Sequence, residues 1–245
     1  MKRAMFITVS GALALLMTAV PARSQSDLNS IRLFQSYFFD APITGVTYGD
    51  FGLSHSSYDG GSVLVIGGQG GHPINQKVEI QAQLGLISAN PDVGDGQSGL
   101  SDLGVYGRYF LSDNGATQYS AGGHLSLPIG SEDVGESNMD IGAFGAVRHI
   151  LDNGMVITGT AGLISVEMYD ERETTLRLGA GAIYPHSEQI HFVGEFVMQT
   201  ELDFTMLSAG VDYAMGNRRV RGMLGLGLDD GAPDIQILGT YGLNF

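Results

Sequence analysis

The chain has 245 residues, no cysteine and a formal net charge of −14 at pH 7. Nucleic acid binds through Lys and Arg, so we predict no nucleic-acid partner for so acidic a chain. Hydrophobic residues make up 43% of the chain, which excludes a disordered protein. Because the chain has no cysteine, its stability cannot come from disulfides.

The first residues have the pattern of a secretory signal peptide. Lys2 and Arg3 precede an apolar run that Pro21 closes, and the small-residue triplet 22–24 follows. We predict that residues 1–24 are removed on export. The run is shorter than the roughly 20 residues of a spanning helix, and no second run of that length follows, which excludes a helical membrane protein.

Residues 25–42 precede the first predicted strand and are expected to form a periplasmic segment. Leu28, Ile31, Phe34 and Phe38 recur at steps of three or four residues, a spacing typical of a short helix. Two interpretations stay open. The segment either plugs the periplasmic mouth of the domain that follows and gates it, or is a disordered tail.

From residue 43 to residue 245, apolar residues alternate with polar ones. This period of two predicts strands, and most runs approach the roughly 9 to 11 residues that a tilted strand needs to cross a bilayer. We therefore predict an all-β fold, a transmembrane antiparallel β-barrel of about twelve strands, against the alternative of a soluble periplasmic sandwich. An even number of strands lets both chain ends lie on the periplasmic side, as in bacterial barrels. The predicted strands are 43–54, 62–71, 77–88, 101–112, 118–129, 140–150, 155–165, 175–185, 190–200, 203–214, 219–228 and 234–245.

The connections alternate in length, as they do in bacterial outer-membrane barrels. Short polar turns, such as 113–115 and 152–154, are assigned to the periplasmic side. Longer segments at 89–100, 130–139 and 166–174 are assigned to the outside. These loops are acidic, so they either concentrate cations and bridge through divalent ions to lipopolysaccharide, or are solvated tips. No calcium-loop spacing occurs, and we predict neither a metal site nor a cofactor.

Aromatic residues of outward parity cluster near the strand ends that are assigned as periplasmic. Such a belt is expected where tyrosine meets both hydrocarbon and headgroups, so outer-membrane lipid is a predicted partner. The terminal phenylalanine also resembles the signal by which the barrel-assembly machinery recognises its clients. The predicted belt comprises Tyr109, Tyr119, Tyr184, Tyr213, Tyr241 and Phe245.

Charged residues of both signs have inward parity. Held in a narrow lumen, they are expected to pair with one another, because an unpaired charge there is costly. They line either a conduit that selects solutes by charge or a polar filling. The predicted lumen set comprises Glu79, Asp102, Arg108, Asp140, Arg148, Arg177, Glu195, Asp212, Arg219 and Arg221.

One pair raises an enzymatic alternative. His124 and Ser126 are two apart on a predicted strand, as in an outer-membrane lipid hydrolase with a serine nucleophile and a histidine base. Leu125 and Leu127 have the parity of the lipid-facing side of that strand. His124 and Ser126 therefore face the lumen, away from lipid. We therefore predict that the chain is not an enzyme.

The stretch 99–109, GLSDLGVYGRY, followed by LSLPIG at 125–130, resembles the outer-membrane family of meta-pathway phenol-degradation proteins. Ser101 stands where the family usually has glycine, and Ile129 where it has threonine. The resemblance implies a barrel that moves small, often hydrophobic compounds across the outer membrane. The leading hypothesis is thus passive passage of small, hydrophobic or aromatic molecules of unknown identity. The alternative is a closed structural barrel that displays acidic loops.

Overall fold

The computed structural model describes residues 28–135, 139–168 and 171–245, and the predicted signal peptide lies outside them. Within these residues the chain forms one antiparallel sheet of thirteen strands. The strands are β1 (Tyr48–Tyr58), β2 (Gly61–Pro73), β3 (Val78–Pro91), β4 (Gln97–Leu100), β5 (Leu103–Asp113), β6 (Thr117–Leu127), β7 (Asp140–Ile150), β8 (Val156–Met168), β9 (Glu171–Pro185), β10 (Ile190–Gln199), β11 (Phe204–Met215), β12 (Arg218–Gly227) and β13 (Ile235–Asn244).

Twelve of these strands close into a barrel. β1 pairs with β2 on one side and with β13 on the other, so Tyr48 lies opposite both Gly71 and Asn244. β3 pairs with β5 and completes the ring. The short β4 is not part of the ring. It belongs to the connection between β3 and β5 and pairs with the end of β3. The prediction of an antiparallel barrel of about twelve strands is confirmed, with one short strand in addition.

The two ends of the barrel differ in their connections. At one end, the turn end, β1 begins, β13 finishes and short turns such as 114–116 and 216–217 join the strands. The opposite end, the loop end, carries the connections 92–102 and 128–139. The predicted long loop at 166–174 is instead mostly strand, because β8 runs to Met168 and β9 starts at Glu171.

Side chains alternate across the barrel wall because successive residues of a strand point to opposite faces. Outward-facing Phe51, Leu86 and Leu163 are 63%, 59% and 56% exposed. Inward-facing Arg148 and Asp212 are fully buried. The outer surface is thus apolar and the lumen is charged, the reverse of a water-soluble protein.

Residues 28–42, called here the luminal segment, enter the barrel from the turn end and lie inside it. Leu28 and Asn29 are helical, but from Ile31 onwards the described chain turns irregularly. Almost every residue of the segment is buried. Its apolar side chains pack on the inner wall in two clusters, one around Leu28 and Phe34 and one around Phe38 and Phe39. No helix in the described ranges is long and apolar enough to cross a membrane.

Candidate functional site in the barrel lumen

Arg148 holds the two ends of the luminal segment. Its Nη2 lies 2.5 Å from Asp40 Oδ2, and both side chains are buried. The same guanidinium donates to the carbonyl oxygens of Leu28 at 3.0 Å and Ile31 at 2.9 Å. Thr158 adds a hydrogen bond to Asp40 from the neighbouring strand at 3.0 Å. One arginine of β7 therefore contacts both the beginning and the end of the segment.

Glu195 on β10 holds the middle of the segment. Its Oε2 accepts hydrogen bonds from the backbone N–H groups of Phe34 at 2.5 Å and Gln35 at 3.0 Å. Its Oε1 accepts a third from Ser36 at 3.0 Å. An irregular segment has no helix or sheet partners for its N–H groups, and a buried carboxylate satisfies three of them at once.

A second group of charges lies on β11, β12 and β1. Asp212 stands directly opposite Arg221 in the sheet and accepts from Arg219 at 2.7 Å. Arg221 also lies 3.2 Å from Asp50 and donates to the carbonyl oxygens of Arg32 and Leu33. The charged side chains of the wall therefore bind both one another and the luminal segment.

Glu79 and Arg108 form a third group near the turn end. The two residues stand opposite each other on β3 and β5, with Nη2 and Oε1 2.5 Å apart. Glu79 also accepts from the hydroxyls of Tyr48 at 2.8 Å and Thr44 at 3.0 Å. Arg108 donates to the carbonyl oxygen of Asp40. Like the other pairs, this one joins neighbouring strands to the luminal segment and does not bridge opposite walls.

The remaining residues of the predicted lumen set lie apart from these groups. Arg177 donates to the carbonyl oxygen of Gln35 at 3.0 Å, and its guanidinium carbon lies 4.4 Å from the centre of the Phe39 ring. Asp102 lies towards the loop end and accepts from the N–H of Gly130 at 2.8 Å. Asp140 is buried at the start of β7, opposite Ser126.

Three charged residues of the lumen were not in the predicted set: Arg32, Asp40 and Asp50. Asp40 and Arg32 belong to the luminal segment, where the sequence offers no strand parity. Asp50 has inward parity in β1, but the glycines around it hide the alternation. A count of charges gave no hint of them, because the five arginines of the predicted set were already matched by its five carboxylates.

An aromatic cluster packs Phe38 and Phe39 of the luminal segment against β5, β6 and β7. The Phe38 ring stacks on Tyr106 with centroids 4.3 Å apart, and Phe39 meets Phe144 edge-on at 5.0 Å. His124 stacks on Tyr106 at 5.4 Å. Within the described residues, His124 Nδ1 has no hydrogen-bond partner, so no base–nucleophile contact to Ser126 forms through that atom. His124 therefore packs as part of the aromatic cluster.

A cavity of about 300 Å³ lies beside the luminal segment at mid-height, against β1, β2, β3 and β13. Glycines of these strands leave the wall without side chains there. Its lining is mixed, with aliphatic, amide, hydroxyl and carboxylate groups and no arginine or lysine. The principal polar and apolar lining side chains are Asp50, Ser54, Gln69, Gln83, Asp102, Thr240, Val65, Ile87 and Leu238.

Inward-facing glycines make room for the luminal segment. A Cβ on Gly181 would lie 2.9 Å from a methyl of Leu33 and 2.9 Å from Thr158, and a Cβ on Gly179 would lie 3.1 Å from the Ser36 hydroxyl. Outward-facing Gly145, by contrast, has nothing within 4 Å of such a Cβ. The segment therefore occupies the space that side chains would otherwise fill.

We expect Gly181→Leu to displace the luminal segment, because the new side chain needs the space that Leu33 occupies. Inserting a larger side chain into a packed interior costs about 1–3 kcal/mol. Trypsin is the probe, since Arg32 is buried in the folded protein and becomes a cleavage site once the segment leaves the barrel. Gly145→Leu is the control and should leave Arg32 resistant. Equal resistance in both variants would contradict the packing argument.

The predicted aromatic belt lies at the turn end of the barrel. Tyr109, Tyr119, Tyr213 and Tyr241 are 47%, 42%, 38% and 43% exposed and point outwards. Tyr184 is half-buried and stacks on Phe192, with ring centroids 6.5 Å apart. Phe245 follows β13 at the same end. At the loop end, exposed carboxylates include Asp92, Asp95, Glu132, Asp133, Glu173, Asp229 and Asp230.

Comparison with solved structures identifies proteins with the same fold. An outer-membrane channel from Pseudomonas putida F1 is 14% identical, with a TM-score of 0.64 over 85% of this chain and 98% of that one. The KdgM porin is 12% identical, with a TM-score of 0.57 over 80% and 99%. The toluene transporter TbuX of Ralstonia pickettii is 11% identical, with a TM-score of 0.52 over 83% and 90%.

At these identities the likeness establishes the fold, that of outer-membrane β-barrel channels. No protein-family model matches the chain, and no curated protein sequence is similar to it. Membership of the phenol-degradation family therefore stays a prediction.

Proposed function

We propose that the chain is an outer-membrane channel for passive passage of small molecules, and that the luminal segment closes it in this structure. The observation that carries the proposal is the inversion of polarity, with an apolar outer wall around a charged lumen that contains a cavity. An outer surface rich in exposed leucine, isoleucine and phenylalanine suits hydrocarbon, and a closed barrel leaves no unpaired edge within it.

The proposed orientation places the turn end in the periplasm and the acidic loops outside. A tyrosine belt at one end of an apolar wall is what a membrane interface favours. In this orientation the luminal segment enters from the periplasm, and Phe245 is presented to the assembly machinery on the same side. The loop carboxylates would face lipopolysaccharide. The fold likeness to a toluene transporter and the resemblance to phenol-degradation proteins make aromatic compounds the first solutes to test.

A second candidate function is a closed barrel that serves only as a scaffold for its loops. The observation that favours it is the strength of the closure. The buried Arg148–Asp40 ion pair holds the end of the luminal segment, and buried hydrogen bonds to Arg148 and Glu195 hold its beginning and its middle. Such a barrel would not conduct under any condition, whereas a channel must open when the segment leaves.

Planar-bilayer recording of the purified protein separates the two candidates. We expect the mature protein to conduct rarely, because the luminal segment fills the lumen near the turn end. A variant that lacks residues 28–42 should conduct steadily, at a level at least severalfold higher, because the arginines and carboxylates of the wall would then line a hydrated path.

Liposome swelling with phenol-sized and sugar-sized solutes provides the second measurement. The deletion variant must retain the heat-resistant electrophoretic mobility of a folded barrel for the result to count. If the folded deletion variant neither conducts nor admits any of these solutes, the channel proposal fails and the scaffold remains.

A further inference from the structure

We infer that the cavity beside the luminal segment is a binding site for a small, uncharged molecule that carries several hydroxyl groups, of the size of a monosaccharide or cyclitol. The inference names a solute class for the proposed channel and rests on that proposal. It starts from two buried polar atoms of the lining. Asp50 Oδ1 and Thr240 Oγ1 have no hydrogen-bond partner among the described residues, and the two residues are 3% and 8% exposed.

The two residues lie on adjacent strands, two register positions apart. In the pairing of β1 with β13, Asp50 lies opposite Gly242 and Gly52 lies opposite Thr240. Gly52, Gly67 and Gly85 belong to the same lining and present no side chain to the cavity. Asp50 Oδ1 lies 3.9 Å from Arg32 Nη1, beyond hydrogen-bond distance, so it still lacks a hydrogen-bond donor, which a ligand hydroxyl can supply.

The charges of the lining select an uncharged ligand. Asp50 lies 3.2 Å from Arg221 and 3.9 Å from Arg32, and Asp102 Oδ1 accepts a backbone N–H. These carboxylates already have partners that offset their charge, so a cation gains little from them. Since neither arginine nor lysine lines the cavity, an anion would meet only carboxylates.

The polar groups argue against a purely apolar ligand. Gln69, Gln83 and Ser54 add amide and hydroxyl groups to the lining, and no aromatic ring belongs to it. Phenol or toluene would leave most of these groups without partners. Val65, Ile87 and Leu238 instead provide a limited apolar surface on which the C–H face of a sugar or cyclitol ring can rest. At about 300 Å³ the cavity is at the lower end of ligand sites, which fits a single ring.

Saturation-transfer NMR titration of the full-length mature protein in detergent tests the inference, with myo-inositol and glucose as probes. Phenol, choline and gluconate represent the aromatic, cationic and anionic classes. We expect saturable binding of at least one of the two neutral polyols. Thr240→Val removes a hydroxyl at constant shape and should weaken that binding roughly fivefold, the worth of about one hydrogen bond.

Two further variants separate binding from folding. Ser54→Leu fills the cavity without changing an ion pair and should abolish polyol binding. Ser208→Ala removes another buried hydroxyl without a described partner, outside the cavity lining, and should leave the affinity unchanged. The inference is overturned if neither polyol binds saturably, or if phenol, choline or gluconate binds in their place with the same sensitivity to Thr240→Val and Ser54→Leu.

Failure of the inference can be told apart from failure of the proposed channel. If phenol permeates liposomes through the variant without residues 28–42 but no polyol binds, the cavity inference falls and the channel stands. If a polyol binds as described but nothing permeates through that variant, the binding site stands and the channel falls.

Discussion

Replacing Arg148 with alanine is expected to open the barrel. Arg148 contacts both the beginning and the end of the luminal segment, through Leu28, Ile31 and Asp40. Removing one partner of a buried ion pair costs about 3–5 kcal/mol, because the other charge is left buried without its counter-ion. The luminal segment can avoid this cost by leaving the barrel, because Asp40 is then solvated by water outside it.

The expected result is therefore opening of the channel with the barrel wall intact. Single-channel conductance should rise severalfold, and trypsin should cleave after Arg32, which is 5% exposed in the native protein. Arg172→Ala is the control, because Arg172 is an exposed arginine at the loop end that donates to Ser165 and to the carbonyl of Met139. A closed, trypsin-resistant Arg148→Ala protein would show that the ion pair does not hold the segment.

A paired replacement tests the cause more directly. In Arg148→Met with Asp40→Leu, neither charge remains, and two apolar side chains of similar volume face each other. Replacing both members of a buried ion pair in this way is often neutral or stabilising. The double variant should thus be more closed than Arg148→Ala alone. If the double variant conducts as well as Arg148→Ala, the hydrogen bonds from Arg148 to Leu28 and Ile31, and not the ion pair with Asp40, keep the channel closed.

The barrel wall could be predicted from the sequence because the membrane and the lumen impose opposite demands on alternate residues. Strands β6 to β13 were located to within a few residues wherever apolar residues mark the outer face, as they do along Ile235–Asn244. The first strand was placed at 43–54 but runs over Tyr48–Tyr58. Its loop-end half contains Ser54, Ser56 and Ser57 on both faces, so no alternation marks where it ends.

The interior could not be predicted to the same degree. Parity shows that Arg148 and Glu195 face inwards, but not which groups they meet, since that depends on the height of each strand and on what enters the lumen. For Arg148 and Glu195 the partners came from an irregular segment whose spacing suggested a helix. Its backbone N–H and C=O groups bind side chains of the wall, and single-residue patterns carry no signal for such contacts. Among the described residues, the lumen charges therefore pair between neighbouring strands and hold the segment, and do not pair across the barrel.

Replacing Glu195 with glutamine is expected to release the middle of the luminal segment although the side chain keeps its shape. Glu195 receives three backbone N–H groups, from Phe34, Gln35 and Ser36, on two oxygens. Glutamine offers one oxygen, and its amide N–H groups would point at a backbone donor. At least one buried N–H loses its acceptor, at about 1–3 kcal/mol each, and the charge-assisted bonds weaken as well.

Hydrogen exchange measured by mass spectrometry reports this loss at the amides themselves. The amides of residues 34–36 should exchange much faster in Glu195→Gln than in the native protein, while those of β10 and β11 keep their protection. Glu173→Gln, an exposed carboxylate at the loop end, is the matched control and should change neither. Because Arg148 still holds the two ends of the segment, conductance should rise less than in Arg148→Ala. Unchanged protection at residues 34–36 would mean that packing of Phe34 and Leu33 against the wall, and not the carboxylate, keeps the middle of the segment in place.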